Sequence, residues 1–530
     1  MKKFPQIVLA QLNPTVGDLR GNFDKITTVL KNHRGKADLV VFSEMITTGY
    51  PTDDLVLNPY FIDRIEHYVH ELAKEIKDIT FILPTPWRID GKLYNAALVI
   101  AGGEIKHIIT KYHLPNYGVF DEKRIFTRAQ EMPTPYDLGG TKLGIMICED
   151  MWFDDVAQHL KEQGADIFIV PNGSPFQTDI AARRQHQALS RVKETGLPLI
   201  YLNQIGGQDE LVFDGNSFAM DSEGNITDSF PAFKEHIALL DGQTATQSSD
   251  ETKTIYKAVT LGLRDYVQKN NFPGVVIGMS GGIDSALSAA IAVDAIGAEN
   301  VHCVMMPSPY TSQESLNDAA ECSALLGAKH DIIPIEPAMS AFHSILESNI
   351  DKNNAGTTFE NLQSRARGII LMALSNAEGK MVLSTGNKSE MAVGYATLYG
   401  DMCGGFNALK DLYKTQVYEL SRWRNTQGVV IPENIINKAP TAELKPDQTD
   451  QDTLPPYDVL DDILQHLIEH DTAPEKIPHN NETVMKVWRM LDIAEYKRRQ
   501  APPGVKITSK AFGRDRRYPI TNGFFKSHQK

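Results

Sequence analysis

Residues 274–285 read GVVIGMSGGIDS, and the architecture of half the chain follows from them. "GVVI" is a short apolar, β-branched run, as a strand buried on both faces should be. Gly278, Gly281 and Gly282 then permit a tight turn whose backbone N–H groups face one way. Residues 285–296, SALSAAIAVDAI, continue as a helix, and residues 301–307, VHCVMMP, return as a strand. Strand, glycine turn, helix and strand open a doubly wound nucleotide fold with a parallel sheet. The amides of such a turn, with the helix N-terminus behind them, favour an anion. Ser280 and Ser285 add hydroxyl donors. Asp284 would repel a phosphate unless a divalent cation bridges the two, which is how hard oxygen ligands are used. The GK[ST] ending of a Walker loop is missing, so γ-phosphate transfer is not the expected chemistry.

Working outward, "DIIPIE" (331–336) and "KMVLSTGN" (380–387) read as further strands of the same sheet. A helix over 254–270 precedes the quoted stretch. Pro, Asp and Gln accumulate after about 440, and then helices return. Upstream, "DGQTATQSSDETK" (241–253) is polar and small and has no apolar period, which is linker composition. The alternative is one long surface loop. With 530 residues, the chain is too long for one ordinary core. The expected division is a first domain over 1–245, a linker over 246–253 and a second domain over 254–530.

The first half alternates strands with helices. "QIVLAQL", "ADLVVFSE", "ITFILPTP", "NAALVIA", "LGIMICE", "ADIFIVPN" and "LPLIYLNQ" read as strands. Residues 22–34, 59–77 and 181–194 read as helices. The class is α/β, with sheets sandwiched between helices.

Composition narrows the function. The chain is 42% hydrophobic and 23% charged, normal for a folded globular protein. A formal charge of −14 argues against nucleic acid as a partner, because phosphate neutralisation needs a basic face. Cys148, Cys303, Cys322 and Cys403 form no CxxC pair, which fits a reducing compartment. No leader pattern and no apolar run of about 20 residues is visible, so a cytoplasmic protein without membrane contact is expected.

Three residues of the first half sit at or just beyond strand ends: Glu44, Lys111 and Cys148. Strand ends of a layered α/β fold converge on one rim. A cysteine nucleophile needs a base for its proton and a cation for the developing oxyanion. Taken singly, a strand-end cysteine is more often packing than chemistry. The order Glu, Lys, Cys, with its flanks, changes that reading.

Those flanks carry a resemblance. "SEMITTGYP", "KYHLPNYGVFDEKRIF" and "GIMICEDMWF…VPNGSPF" resemble the nitrilase family over about 240 residues. The resemblance implies an αββα sandwich and an amidase working through a thioester. Cys148 is then the nucleophile, Glu44 the general base and Lys111 the oxyanion stabiliser, with Glu122 as an auxiliary glutamate. Tyr117, Glu149, Trp152 and Ser174 fall where glutamine-using members line their pocket. Such members carry Lys or Arg six residues after the serine of "SPF", where this chain has Ile180. That leaves Arg183 or Arg184 to meet the charged end of the substrate.

In the second half SGGIDS resembles the loop of the N-type ATP pyrophosphatases, which join AMP to a carbonyl oxygen. "ENLQSRARG", "STGNKSEMAVGYATLYGD" and "EYKRRQAPPG…KAFGRDRRYPI" are similar to glutamine-dependent NAD synthetases. The reaction so implied takes deamido-NAD, ATP and glutamine to NAD, AMP, pyrophosphate and glutamate, in a homo-oligomer. ATP contacts would come from Gly278, Met279, Ser280, Gly281, Gly282, Ile283, Asp284, Ser285, Thr385, Lys414 and Thr441. Asn361, Glu390 and Lys497 would hold deamido-NAD, and Asp284 and Glu390 a Mg²⁺ ion. After residue 495 ten Lys or Arg face the single Asp515. That basic stretch reads either as compensation for two polyanionic substrates or as a solvated tail or subunit contact.

Overall fold

The computed structural model describes residues 4–244, 250–351, 355–445 and 448–528. The chain divides into two compact units, 1–249 and 250–530. Half of the expected linker, 246–249, lies outside the described residues. Residues 251–253 already belong to the helix Glu251–Lys269, whose N-cap Asp250 accepts from the Lys253 amide.

The first unit is built on two six-stranded sheets. The first runs in the order His236–Leu239, Ile7–Gln11, Leu39–Phe42, Thr80–Ile89, Lys92–Ala101, Glu104–Thr110. The second runs Ile226–Ser229, Phe218–Met220, Leu199–Asn203, Ile167–Asn172, Thr141–Ile145, Tyr136–Leu138. Side chains alternate across each strand, so the continuous apolar runs serve two cores at once. Ile7, Leu9, Leu39, Val41 and Ile82 meet Leu143, Ile145, Ile167, Ile169 and Leu202 between the sheets. Val8, Ala10, Val40 and Phe42 point the other way, onto Phe23 and Ile26 of the helix Leu19–His33 and Ile62 and Ile65 of Pro59–Glu75. Phe168, Val170 and Tyr201 pack on Val156 and Leu160 of Asp154–Glu162 and Ala188 and Val192 of Ile180–Thr195. The result is the four-layer αββα sandwich.

The second unit holds five parallel strands ordered Lys329–Ile332, Val301–Met305, Val275–Gly278, Met381–Ser384, Phe406–Asn407. The chain order reverses on either side of Val275–Gly278, so a ligand crevice opens at the carboxyl ends beside that strand. The strand expected over 331–336 instead spans Lys329–Ile332 and gives way to the helix Glu336–Leu346. Pro334 lacks the N–H that a ladder needs. Beyond the sheet, Val393, Leu460, Ile463, Leu464, Val484, Val487 and Leu491 form a separate helical core. No described helix is long and apolar enough to cross a membrane.

Candidate active sites

In the first unit the chain brings Glu44, Lys111 and Cys148 together. Glu44 lies two residues beyond the strand Leu39–Phe42, and Lys111 directly follows Glu104–Thr110. Cys148 opens the short 3₁₀ turn Cys148–Trp152 with φ 47°, a left-handed conformation that costs a non-glycine residue on the order of 1–3 kcal/mol. Asp150 supports that turn by accepting from the amides of Ile147, Tyr112 and His113. It therefore ties the Cys148 turn to the residues just after Lys111.

Lys111 and Glu44 are fully buried. The Lys111 ammonium donates to Glu44 Oε1 at 2.7 Å and to Glu122 Oε1 at 3.0 Å. Asn95 Nδ2 reaches the same Glu44 oxygen at 2.7 Å, and the Gly173 amide donates to Glu44 Oε2 at 2.8 Å. Tyr50 OH donates to Glu122 at 2.8 Å. Burial pulls the Lys111 pKa down, but Glu122 and Glu44 together hold it well above the usual value. Burial and the charge of Glu44 push the Cys148 thiol well up, with Lys111 opposing. Cys148 is therefore held as a neutral thiol, and an attack by it would need a base to take its proton. Burial carries Glu122 up to about 7 against the pull of Lys111.

The expected glutamine pocket lies alongside. Tyr117 OH donates to Glu149 Oε2 at 2.9 Å, and burial raises the Glu149 carboxyl above its ordinary range. Gln187 Nε2 holds the carbonyl of Trp152. The question left open at Ile180 divides cleanly. Arg184 is buried, paired with Asp214 at 2.7 Å and donating to Ser174 Oγ and to the Ser174 and Pro175 carbonyls. It fixes the Ser174 loop. Arg183 is half exposed, 5.7 Å over the Trp152 ring and loosely paired with Asp179 at 3.8 Å.

In the second unit a cleft of about 470 Å³ opens at the carboxyl ends of the strands. All the residues expected there line it: Gly278 to Ser285, Asn361, Thr385, Glu390, Lys414, Thr441 and Lys497. Met279 and Ile283 are themselves buried. Gly281 has φ 76°, and a Cβ there would stand 2.4 Å from the Ser315 carbonyl oxygen, so only glycine fits. Lys414 Nζ lies 2.5 Å from Asp284 Oδ2 and 3.1 Å from Glu390 Oε1. Asn387 Nδ2 donates to Asp284 Oδ1 at 2.8 Å. Burial pushes Glu390 up to about 8, against Lys414. Two carboxylates converging on one point, with a nucleotide's phosphates to complete the shell, suit Mg²⁺, which takes one or two protein carboxylates and keeps waters. No group of three or more metal-binding side chains gathers among the described residues.

Half of the basic residues in the C-terminal stretch are tied into ion pairs of the same unit. Lys506 pairs with Asp515, Arg498 and Arg499 with Glu495, and Lys510 with Asp471. Among the described residues of that stretch Lys497 alone lines the cleft, donating to the carbonyls of Gly394 and Ala396. Residues the sequence reading passed over include Tyr50, Asn95, Asp150, Asn387 and Arg367. Asn95 carried one local signal, a polar residue heading the apolar run 95–101.

Comparison with known proteins follows the same division. Residues 6–250 match the carbon-nitrogen hydrolase family and residues 255–501 the NAD synthase family. The chain is 45% identical to the glutamine-dependent NAD(+) synthetase of Rhodobacter capsulatus, covering 98% of each. It is 43% identical to that of Acinetobacter baylyi, covering 99% of each. The structure of the enzyme from Acinetobacter baumannii in complex with ADP matches with TM-score 0.80 and 41% identity, covering 98% of this chain and 99% of that one. The enzyme from Cytophaga hutchinsonii shares the fold with TM-score 0.85. The two family matches and end-to-end identity above 40% agree, and the chain belongs to the glutamine-dependent NAD(+) synthetases.

Proposed function

We propose that the protein amidates deamido-NAD to NAD, using ATP and ammonia released from glutamine. The observation that carries the reading is the joint presence of the buried Glu44–Lys111–Cys148 constellation and the SGGIDS cleft in one chain. In the first half-reaction the Cys148 thiol attacks the side-chain amide of glutamine. Glu44 takes the thiol proton and delivers it to the departing nitrogen. Lys111, its charge held by Glu44 and Glu122, stabilises the oxyanion. Water then frees glutamate from the thioester by the reverse proton path. Glu149 and Tyr117 suit the substrate's ammonium end, and Arg183 its carboxylate.

In the second half-reaction ATP lies on the Gly278–Ser285 loop, with Thr385, Lys414 and Thr441 around it. Asn361 and Lys497 hold deamido-NAD. Its nicotinate carboxylate attacks the α-phosphorus and pyrophosphate leaves. Ammonia then attacks the adenylate carbonyl and AMP departs. Mg²⁺, held by Asp284 and Glu390, would neutralise phosphate charge there. Lys414 must then yield one of its two carboxylate contacts. We place the protein in the cytoplasm, where its free thiols stay reduced. We also take it as a homo-oligomer. The helix Thr358–Glu378 buries five of its 21 residues and leaves Ile369 and Met372 exposed.

Incubation with deamido-NAD, ATP and ammonium chloride tests the acceptor. NAD, AMP and pyrophosphate should appear in equal amounts. ATP cleavage that yields no NAD, with some other acceptor consumed, would refute it.

A further inference from the structure

The helix Thr358–Glu378 presents Glu360, Asn361, Ser364, Arg367, Gly368 and Leu371 to the second-unit cleft, a three- and four-residue spacing that is one helical face. Arg367 is the one cation on that face. Its Nε donates to the Met306 carbonyl at 3.0 Å, just past the end of the strand Val301–Met305. That bond fixes the plane of the guanidinium and leaves the two terminal nitrogens over.

Arg367 is partly buried against the cleft wall, and cations buried more deeply in the protein are typically paired with carboxylates: Arg184 with Asp214, Lys388 with Asp411 and Glu469, Lys414 with Asp284 and Glu390, Arg498 with Glu495, Lys506 with Asp515. Among the described residues Arg367 has none within ion-pair distance. Burial pulls it down to about 10, and the charges of Glu443 and Asp401 only partly offset this. It is still a cation at neutral pH. A desolvated charge without a counter-ion is costly, and it persists where a ligand supplies the anion.

The position says which ligand. Leu371, one turn along the same face, approaches the loop strand. A Cβ on Gly278 would stand 3.4 Å from Leu371 Cδ1 and 3.3 Å from Met306 Cε. Arg367 thus stands beside the start of the phosphate loop. We infer that Arg367 receives a phosphate group of the nucleotide bound on the Gly278–Ser285 loop. The planar fork suits two phosphate oxygens at once, which a lysine point charge does not. The inference rests on ATP binding at that loop, and it adds a phosphate contact that loop reading alone does not supply.

The test uses the full-length protein with Arg367→Gln and Arg367→Lys. ATP binding is read by calorimetry, independently of turnover, and KM values are read in ammonia-driven NAD synthesis. Arg367→Gln should weaken ATP binding about tenfold or more and raise KM for ATP in step. Arg367→Lys should recover only part of the loss. KM for deamido-NAD and glutamine hydrolysis should stay within twofold. If KM for deamido-NAD rises while ATP binding holds, the anion belongs to the dinucleotide and the inference is wrong. A lowered melting temperature with ATP affinity unchanged would make Arg367 a packing residue, which equally overturns it. Were the wild-type chain to bind ATP yet make no NAD, the proposed acceptor would fail while the calorimetric arm still read Arg367.

Discussion

Arg183 and Arg184 are neighbours on one helix with opposite surroundings, and their substitution should separate binding from folding. Arg184→Ala leaves Asp214 buried and unpaired, a loss of about 3–5 kcal/mol, read as a fall in melting temperature. Arg183→Ala should leave stability unchanged and raise KM for glutamine about tenfold, with ammonia-driven synthesis intact. An unchanged KM would remove Arg183 from the glutamine site. Glu122 sets the pH dependence of the same site. Its carboxyl titrates near 7, facing Lys111, Glu44, Tyr50 and Cys148. Below that value it is neutral and no longer helps hold the Lys111 charge, so glutamine hydrolysis should fall as pH drops through about 7. Burial brings Asp150 to the same range, but its oxygens brace the Cys148 turn. Glu122→Gln should remove the limb and lower kcat by one to two orders of magnitude, the scale of a lost charged contact to Lys111 at about 1.5–3 kcal/mol. A limb that persists unmoved in Glu122→Gln would assign it elsewhere.

The phosphate loop is the element that most constrains the sequence. Gly281 combines a left-handed φ with a carbonyl 2.4 Å from where a Cβ would sit. Gly281→Ala should therefore abolish ATP-dependent synthesis from either nitrogen source while glutamine hydrolysis continues. Normal synthesis in that variant would show that the loop can rearrange. This element was fully legible in advance, because glycine and hydroxyl chemistry is local. So were the sandwich strands, whose unbroken apolar runs reflect cores on both faces. The strand Lys329–Ile332 was misread for a physical reason. Its first residues are polar, while Ile333 and Ile335 extend the apolar run beyond the point where Pro334 ends the ladder. Tyr50 and the Gly173 amide could not be read in advance, and Asn95 showed only as a polar residue heading an apolar run. Each matters only because separate strands converge on Glu44 and Glu122.

At the scale of the molecule, charge is managed by pairing. The ten basic residues after 495 suggested substrate compensation, yet five of them pair with carboxylates of the same unit, and among the described ones Lys497 alone lines the cleft. The exposed Ile369 and Met372 argue for a second copy. Sedimentation should give a multiple of the 58.9 kDa chain, reduced by Ile369→Asp. A monomer for the unaltered protein would contradict that. The central claim is that one chain carries two chemically separate centres, and Cys148→Ala tests it most directly. NAD formation would be measured with glutamine and, separately, with ammonium chloride. Glutamine-driven synthesis should vanish while ammonia-driven synthesis continues near the unaltered rate. Equal loss of both, in a variant that remains folded, would contradict the division of labour.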